Sequence, residues 1–322
     1  MIKGDAWFLN YHGTKLVARD CEVMVELERL VGERIPKVSY FDLFTFGFVE
    51  KGGHVVQLGL YNKGLTSLPG TIGHLENLKR LYLGDNKLTS LPGTIGNLTN
   101  LEKLDLHYNK LRSLPGTIGN LKSLTYLSLT AISLSSLPGT IGQLENLERL
   151  YLSWNPLTSL PESIGNLKSL KDLWLLGNNL ESLPGSIGQL KNLEELNLRS
   201  NYLTSLPEAI GNLTNLKELY LHYNKLRSLP ETIGNLKSLT YLSLMGNHHL
   251  SSLPETIGNL KSLTYLNLSS NNLLSLPKTI GNLTNLEWLY FGHNRLGAFP
   301  KSVIQALKKL EKQGCYIEGV KL

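Results

Sequence analysis

The chain has 322 residues, 41% of them hydrophobic and 18% charged, a balance that excludes a disordered or fibrous polymer and allows one large domain or two ordinary ones. Its net charge of +6 is spread without a Lys/Arg block, which speaks against a nucleic-acid partner. No apolar run approaches the roughly 20 residues of a bilayer-spanning helix, so no membrane role is expected.

Met1 to Asp5 include a lysine but no apolar stretch or cleavage site after it, so no secretory leader is expected and the chain is placed in the cytoplasm. Residues 1–54 form a non-repetitive N-terminal cap. Within it, Glu22 to Arg34 predicts an amphipathic helix with Val23, Val25, Leu27, Leu30 and Val31 on its apolar side, ended by Pro36. Phe44 to Val49, the turn residues Lys51, Gly52 and Gly53, then Val55 and Val56 predict a hairpin. Cys21 and Cys315 lie near opposite ends and are expected to be free thiols in a reducing compartment.

From Val55 the chain repeats one 23-residue sentence, L-x-x-L-x-L-x-x-N-x-L-x-x-L-P-x-x-I-x-x-L-x-x. Eleven repeats begin at Val55, Leu78, Leu101, Leu124, Leu147, Leu170, Leu193, Leu216, Leu239, Leu263 and Leu286, and one extra residue falls in Asn247-His248-His249-Leu250. In the repeat at Leu101, Leu104 and Leu106 alternate as a short strand does, with Lys103, Asp105 and His107 pointing outward. Asn109 stands where the chain must turn, and its amide can satisfy backbone groups that a sheet cannot reach. A ladder of such asparagines is expected at nine of the eleven positions, broken by Lys63 and Ile132. Pro115 predicts a 3₁₀-like return limb carrying Ile118 and Leu121 inward. Residues 55–308 are therefore the repeats, stabilised by stacking, and 309–322 a C-terminal cap tail of the same continuous domain. A helix from Ser302 to Lys312 closes the core through Val303, Leu307 and Leu310, and Gly314 to Leu322 lie over the last repeat.

The sentence resembles the leucine-rich-repeat family. Its LPxxIGNLxxL half is similar to the Ras-group scaffold proteins of animals and plants and to archaeal and bacterial relatives. The resemblance implies an α/β solenoid, a horseshoe with a concave parallel β-sheet and a convex side of short helices or 3₁₀ turns. It also implies a non-catalytic scaffold that binds a protein or peptide on the concave face, with a small GTPase, phosphatase or kinase as candidate partner. Two alternatives stay open. Effector and ubiquitin-ligase relatives add a catalytic domain with a nucleophilic cysteine, whereas here only a short tail with Cys315 follows the repeats. A structural repeat protein without one dedicated partner stays open because of the near-identity of residues 99–129 and 214–244, which differ only at 102/217, 103/218, 105/220 and 116/231; three of those differences lie on the outward strand face, as both a binding scaffold and drift of a solvated face would give.

In such a sheet one repeat position recurs about every 4.8 Å, so columns of the sequence describe a surface. The column between the inward leucines carries Tyr82, Asp105, Tyr151, Trp174, Tyr220 and Tyr290; the column before it carries Tyr126, Tyr241, Tyr265 and Trp288. Tyr61, Tyr108, Trp154 and Tyr223 stand just before the ladder position. Ten of fourteen Tyr and three of four Trp thus fall on one face, and none of the seven Phe does. Tyr and Trp are the residues of binding hot spots. The second column also divides by charge, with Arg80, Lys103 and Arg149 followed by Asp172, Glu195 and Glu218. Lys171, Lys217 and Arg199 could neutralise those carboxylates locally; otherwise a partner of complementary charge is implied. Phosphate loops and hydrolase or metalloprotease motifs are absent from the sequence, and His248, His249 and His293 lack further ligands at metal-binding spacing, so neither catalysis, metal nor cofactor is expected.

Overall fold

The computed structural model describes residues 7–319, and the chain divides into two compact units between Asn155 and Pro156. The leader reading at Met1 to Asp5 and the last three residues of the tail lie outside the described residues.

The first unit opens with an antiparallel hairpin, β1 (Phe8–Tyr11) and β2 (Thr14–Val17), that runs directly into helix α1 (Ala18–Val31). The helix starts four residues before the predicted Glu22 and ends at Gly32, whose left-handed φ of 80° terminates it ahead of Arg34. Its buried side is also rotated from the predicted one. Asp20, Cys21, Val23, Met24 and Leu27 are buried, while Val25 and Leu30 are exposed. The missing element in the sequence reading was the β1–β2 hairpin, which fixes where the helix begins. Buried Asp20 accepts a 2.7 Å bond from the backbone N–H of Val55. Glu28 accepts bonds from the Tyr11 hydroxyl and the Ile35 N–H. These ties are made where orphan donors would otherwise be buried. Strands β3 (Phe46–Lys51) and β4 (His54–Leu60) form an antiparallel pair with a bulge at Val49/Glu50. Parallel three-residue strands follow: β5 (Arg80–Tyr82), β6 (Lys103–Asp105), β7 (Tyr126–Ser128) and β8 (Arg149–Tyr151).

The second unit continues the same pattern with β9 (Asp172–Trp174), β10 (Glu195–Asn197), β11 (Glu218–Tyr220), β12 (Tyr241–Ser243), β13 (Tyr265–Asn267) and β14 (Trp288–Tyr290), all parallel and in register. Helix α2 (Lys301–Lys312) buries Val303, Ala306, Leu307 and Leu310. The tail beyond it does more than lie over the last repeat. As β15 (Tyr316–Glu318) it adds a further parallel strand against β14.

The first ten repeats each return through a five-residue 3₁₀ turn entered from an extended proline, such as Pro115 (φ −66°, ψ 145°) before Gly116–Asn120, and the last returns through α2. The proline presets φ and contributes no N–H to the turn entry. The strand and return-limb leucines and the 3₁₀ isoleucines are buried, most of them completely. Each side chain of that size contributes roughly 1.5–3 kcal/mol on burial, and no repeat can bury its own set. The amide ladder is present at all nine expected asparagines. Asn109 donates to the carbonyls of Leu106 and of Leu83 in the preceding repeat, and accepts from the N–H of Leu88. On the 3₁₀ side Asn100, Asn146, Asn192, Asn215 and Asn285 donate in the same manner to the repeat before. Cys21 and Cys315 are free and buried, and burial pushes both thiols up, Cys315 to about 11. They are poor nucleophiles in this state.

Candidate protein-binding surface

The outward faces of the strands carry the aromatic and charged columns, and burial sorts those residues more finely than alternation alone. In the first unit the column between the leucines is covered. Tyr82 is only 5% exposed because Phe41, from the segment ahead of β3, stacks on its ring at 5.2 Å. Asp105 is 1% exposed because the His107 imidazole folds back and hydrogen-bonds it. Ser128 is buried as well, with the Tyr126 hydroxyl bonded to it. Tyr82 and Asp105, predicted to face outward, therefore offer no open surface. Arg80, Lys103 and Tyr126 remain half-buried, Tyr151 is half-buried with its ring 5.4 Å from Tyr126, and Arg149 is exposed.

In the second unit the faces are more open. Trp174 and Trp288 are exposed, and Tyr220, Tyr241, Tyr265 and Tyr290 are half-buried. Their rings form one connected row: Tyr220 to Tyr241 at 4.7 Å, Tyr241 to Tyr265 stacked at 4.5 Å, Tyr265 to Tyr290 at 5.5 Å. Tyr316 extends it, 5.4 Å from Trp288 and 6.0 Å from Tyr290. No repeat position pointed to Tyr316; only the pairing of β15 with β14 places it in the column. Asp172, Glu195 and Glu218 stand directly opposite one another on β9, β10 and β11. Burial, reinforced by Glu218 and Asp172, holds Glu195 above the usual carboxylate range despite a hydrogen bond from Trp174. Two of the cations named as local neutralisers are engaged elsewhere: Lys217 pairs with Glu194 at 2.5 Å, and Arg199 lies over the Tyr223 ring at 5.6 Å.

A third group stands where each strand turns. The residue before the ladder position has a positive φ in every repeat, with Gly177 and Gly246 there in two of them. That left-handed conformation costs an ordinary side chain roughly 1–2 kcal/mol, and glycine nothing. Yet Tyr108 (φ 52°), Trp154 (φ 58°) and Tyr223 (φ 58°) occupy it, and all three are exposed, Tyr108 and Trp154 each to 59%. His107 and His222 meet the rings of Tyr108 and Tyr223 edge-on at 5.4 and 5.6 Å, yet much of each ring's surface stays open to solvent. The sequence placed these residues on the surface but carried no sign of their backbone conformation.

Among the described residues no three His, Cys, Asp or Glu come together as a metal-binding group, and no helix is long and apolar enough to cross a membrane.

Comparison with known proteins gives a consistent picture. The family described as "Leucine-rich repeat region" matches residues 96–181, 173–247 and 239–318, and "Leucine rich repeat" matches 54–111. No curated protein sequence matches the chain. Among solved structures, a leucine-rich-repeat protein of Leptospira interrogans is 37% identical, with a TM-score of 0.61 over 82% of this chain and 83% of that one. The plant peptide hormone receptor RGFR1, solved in complex with RGF2, is 31% identical with a TM-score of 0.50, over 75% of this chain. This chain spans 52% of that receptor's length. The leucine-rich-repeat chain FLRT2, solved in an octameric complex with Latrophilin 3 and Unc5D, is 26% identical with a TM-score of 0.60, each chain covered to 77%.

Proposed function

The chain belongs to the leucine-rich-repeat family, and from that premise we propose that it is a non-catalytic interaction module whose outward strand face, the concave face of the solenoid, holds a protein or peptide. Proteins of this family are in general interaction modules, and two of the similar structures were solved with a peptide hormone or protein partners. The observation that carries the reading is the set Tyr108, Trp154 and Tyr223, exposed aromatics kept at backbone positions where glycine would be free of strain. Strain retained under rings left largely open to solvent fits a requirement other than stability, and large amphipathic rings are what binding hot spots use. A small GTPase or another signalling protein in the cytoplasm is the partner class that the similarity to Ras-group scaffolds suggests.

The test replaces Tyr108, Trp154 and Tyr223 together by glycine. The variant should keep its circular dichroism and melt near the wild type, because the strain relieved offsets the few ring contacts to His107, His222 and Arg199 that are lost. Proteins recovered on immobilised wild-type chain from an extract of its own source cells should be missing from the variant. Recovery of the same proteins by both would remove the strand face as the binding surface.

A further inference from the structure

One column of the second unit runs without interruption across seven paired strands: Asp172, Glu195 and Glu218, then Tyr241, Tyr265, Trp288 and Tyr316. At about 4.8 Å per strand its length is roughly 29 Å, which an extended segment of about nine residues matches. Its two halves differ in chemistry. Glu195 and Glu218 are adjacent, in register and half-buried, and like charges directly opposite each other destabilise a sheet. The neighbouring Lys217 is committed to Glu194, and Arg199 to the Tyr223 ring. The aromatic half is held in place before any ligand arrives. Tyr241 and Tyr265 lie 5° from parallel, and Trp288 and Tyr290 lie 3° from parallel. Tyr220 ties the halves together, its hydroxyl donating to Glu218 while its ring meets Tyr241 at 4.7 Å.

We propose that this column takes an extended peptide laid across the strands, with Lys or Arg side chains at alternate positions over Glu195 and Glu218 and an apolar half along the rings of Tyr241, Tyr265, Trp288 and Tyr316. The proposal rests on the strand-face reading above and adds the chemistry of the partner. A cation over Glu195 and Glu218 removes the repulsion between them, and such complementarity sets which partner is accepted and how fast it arrives. The ordered aromatic row receives the uncharged half with little loss of side-chain freedom. An anionic segment would meet the carboxylates directly and be rejected.

The experiment pans a phage-displayed library of random nine-residue peptides on the full chain, then measures the selected peptides by fluorescence anisotropy. Peptides with Lys or Arg at alternate positions in one half should be enriched. Their Kd should rise about tenfold in E195Q/E218Q and several-fold between 50 and 500 mM salt, while E145Q on the opposite, 3₁₀ side leaves it unchanged. The double variant removes a repulsion, so its melting temperature should not fall, and a lost interaction cannot be ascribed to unfolding. Binders that depend on Tyr241→Ser/Tyr265→Ser but show no excess of Lys or Arg, or ignore E195Q/E218Q, overturn the cationic partner and leave the strand-face reading standing. Binders indifferent to both variants, or no binders at all, overturn both.

Discussion

His107 and His222 occupy the same repeat position five repeats apart, within the two near-identical blocks, and the structure gives them opposite chemistry. His107 has Asp105 two residues earlier, and the hydrogen bond between them raises the imidazole pKa above its usual value. His222 has Tyr220 in that place. Burial, helped by Arg199, lowers its pKa to about 4, and its Nδ1 has no hydrogen-bond partner. The signs follow from linkage. A raised histidine stabilises the fold fully below the ordinary histidine range, and the contribution is lost as pH climbs through the raised value. A lowered one destabilises progressively as pH falls below about 6.5, the ordinary value, with the full penalty reached near 4. An NMR titration of the two rings should show His107 losing its proton at a higher pH than free histidine, and His222 neutral down to about pH 4. Coincident titrations near 6.5 would contradict both environments. The ladder amides form a second residue-scale case. Asn201→Ala should cost ~2–4 kcal/mol in urea unfolding, because the carbonyls of Leu175 and Leu198 and the N–H of Leu180 lose a partner in a buried setting. At this scale the sequence made the asparagines plain, since their role is local and repeats. The fate of Asp105 depended on a rotamer of His107, which no spacing reveals.

At the scale of elements, the glycine in the middle of each return limb has a reason that periodicity left unstated. A Cβ on Gly96 would stand 2.5 Å from the carbonyl oxygen of Thr117, and one on Gly211 2.4 Å from that of Thr232. Neighbouring 3₁₀ turns approach to backbone contact there, so Gly96→Ala must push two repeats apart. It should lower stability by ~1–3 kcal/mol, whereas Gly93→Ala, where nothing lies within 4 Å, should change it little. Equal effects in thermal melts would refute the close-approach explanation. Strands and turns are legible because the repeats restate the strand eleven times and the 3₁₀ turn ten times. The N-terminal elements are stated once, and no periodicity marks the β1–β2 hairpin, which sets the start and the buried side of α1. Tyr82 failed for the same reason, since Phe41, which covers it, belongs to no repeat.

At the scale of the whole molecule, stability is a sum over repeats and the contacts between neighbours. Deleting residues 193–215 removes one complete repeat and rejoins Asn192 to Leu216 in the same register. That variant should fold with unchanged circular dichroism per residue and melt at a somewhat lower temperature. Truncation after Pro300 should be far more damaging, because it strips α2 and β15 from the last repeat and uncovers Phe291 and Ile280. A truncated chain that melts like the intact one would show that the terminal elements carry no share of the core. The solenoid class was evident from the repeat; where its surface is open or covered was not, because that is set by the terminal segments and the rings leaning across strands. The row of stacked rings has one more consequence, an optical one. Tyr241 and Tyr265, nearly parallel at 4.5 Å, are close enough for their transitions to couple, and Trp288 at the end of the row is exposed to solvent. The second unit thus carries its own reporter: excitation absorbed by the tyrosines drains toward an indole whose emission colour registers whether that end of the face is wet.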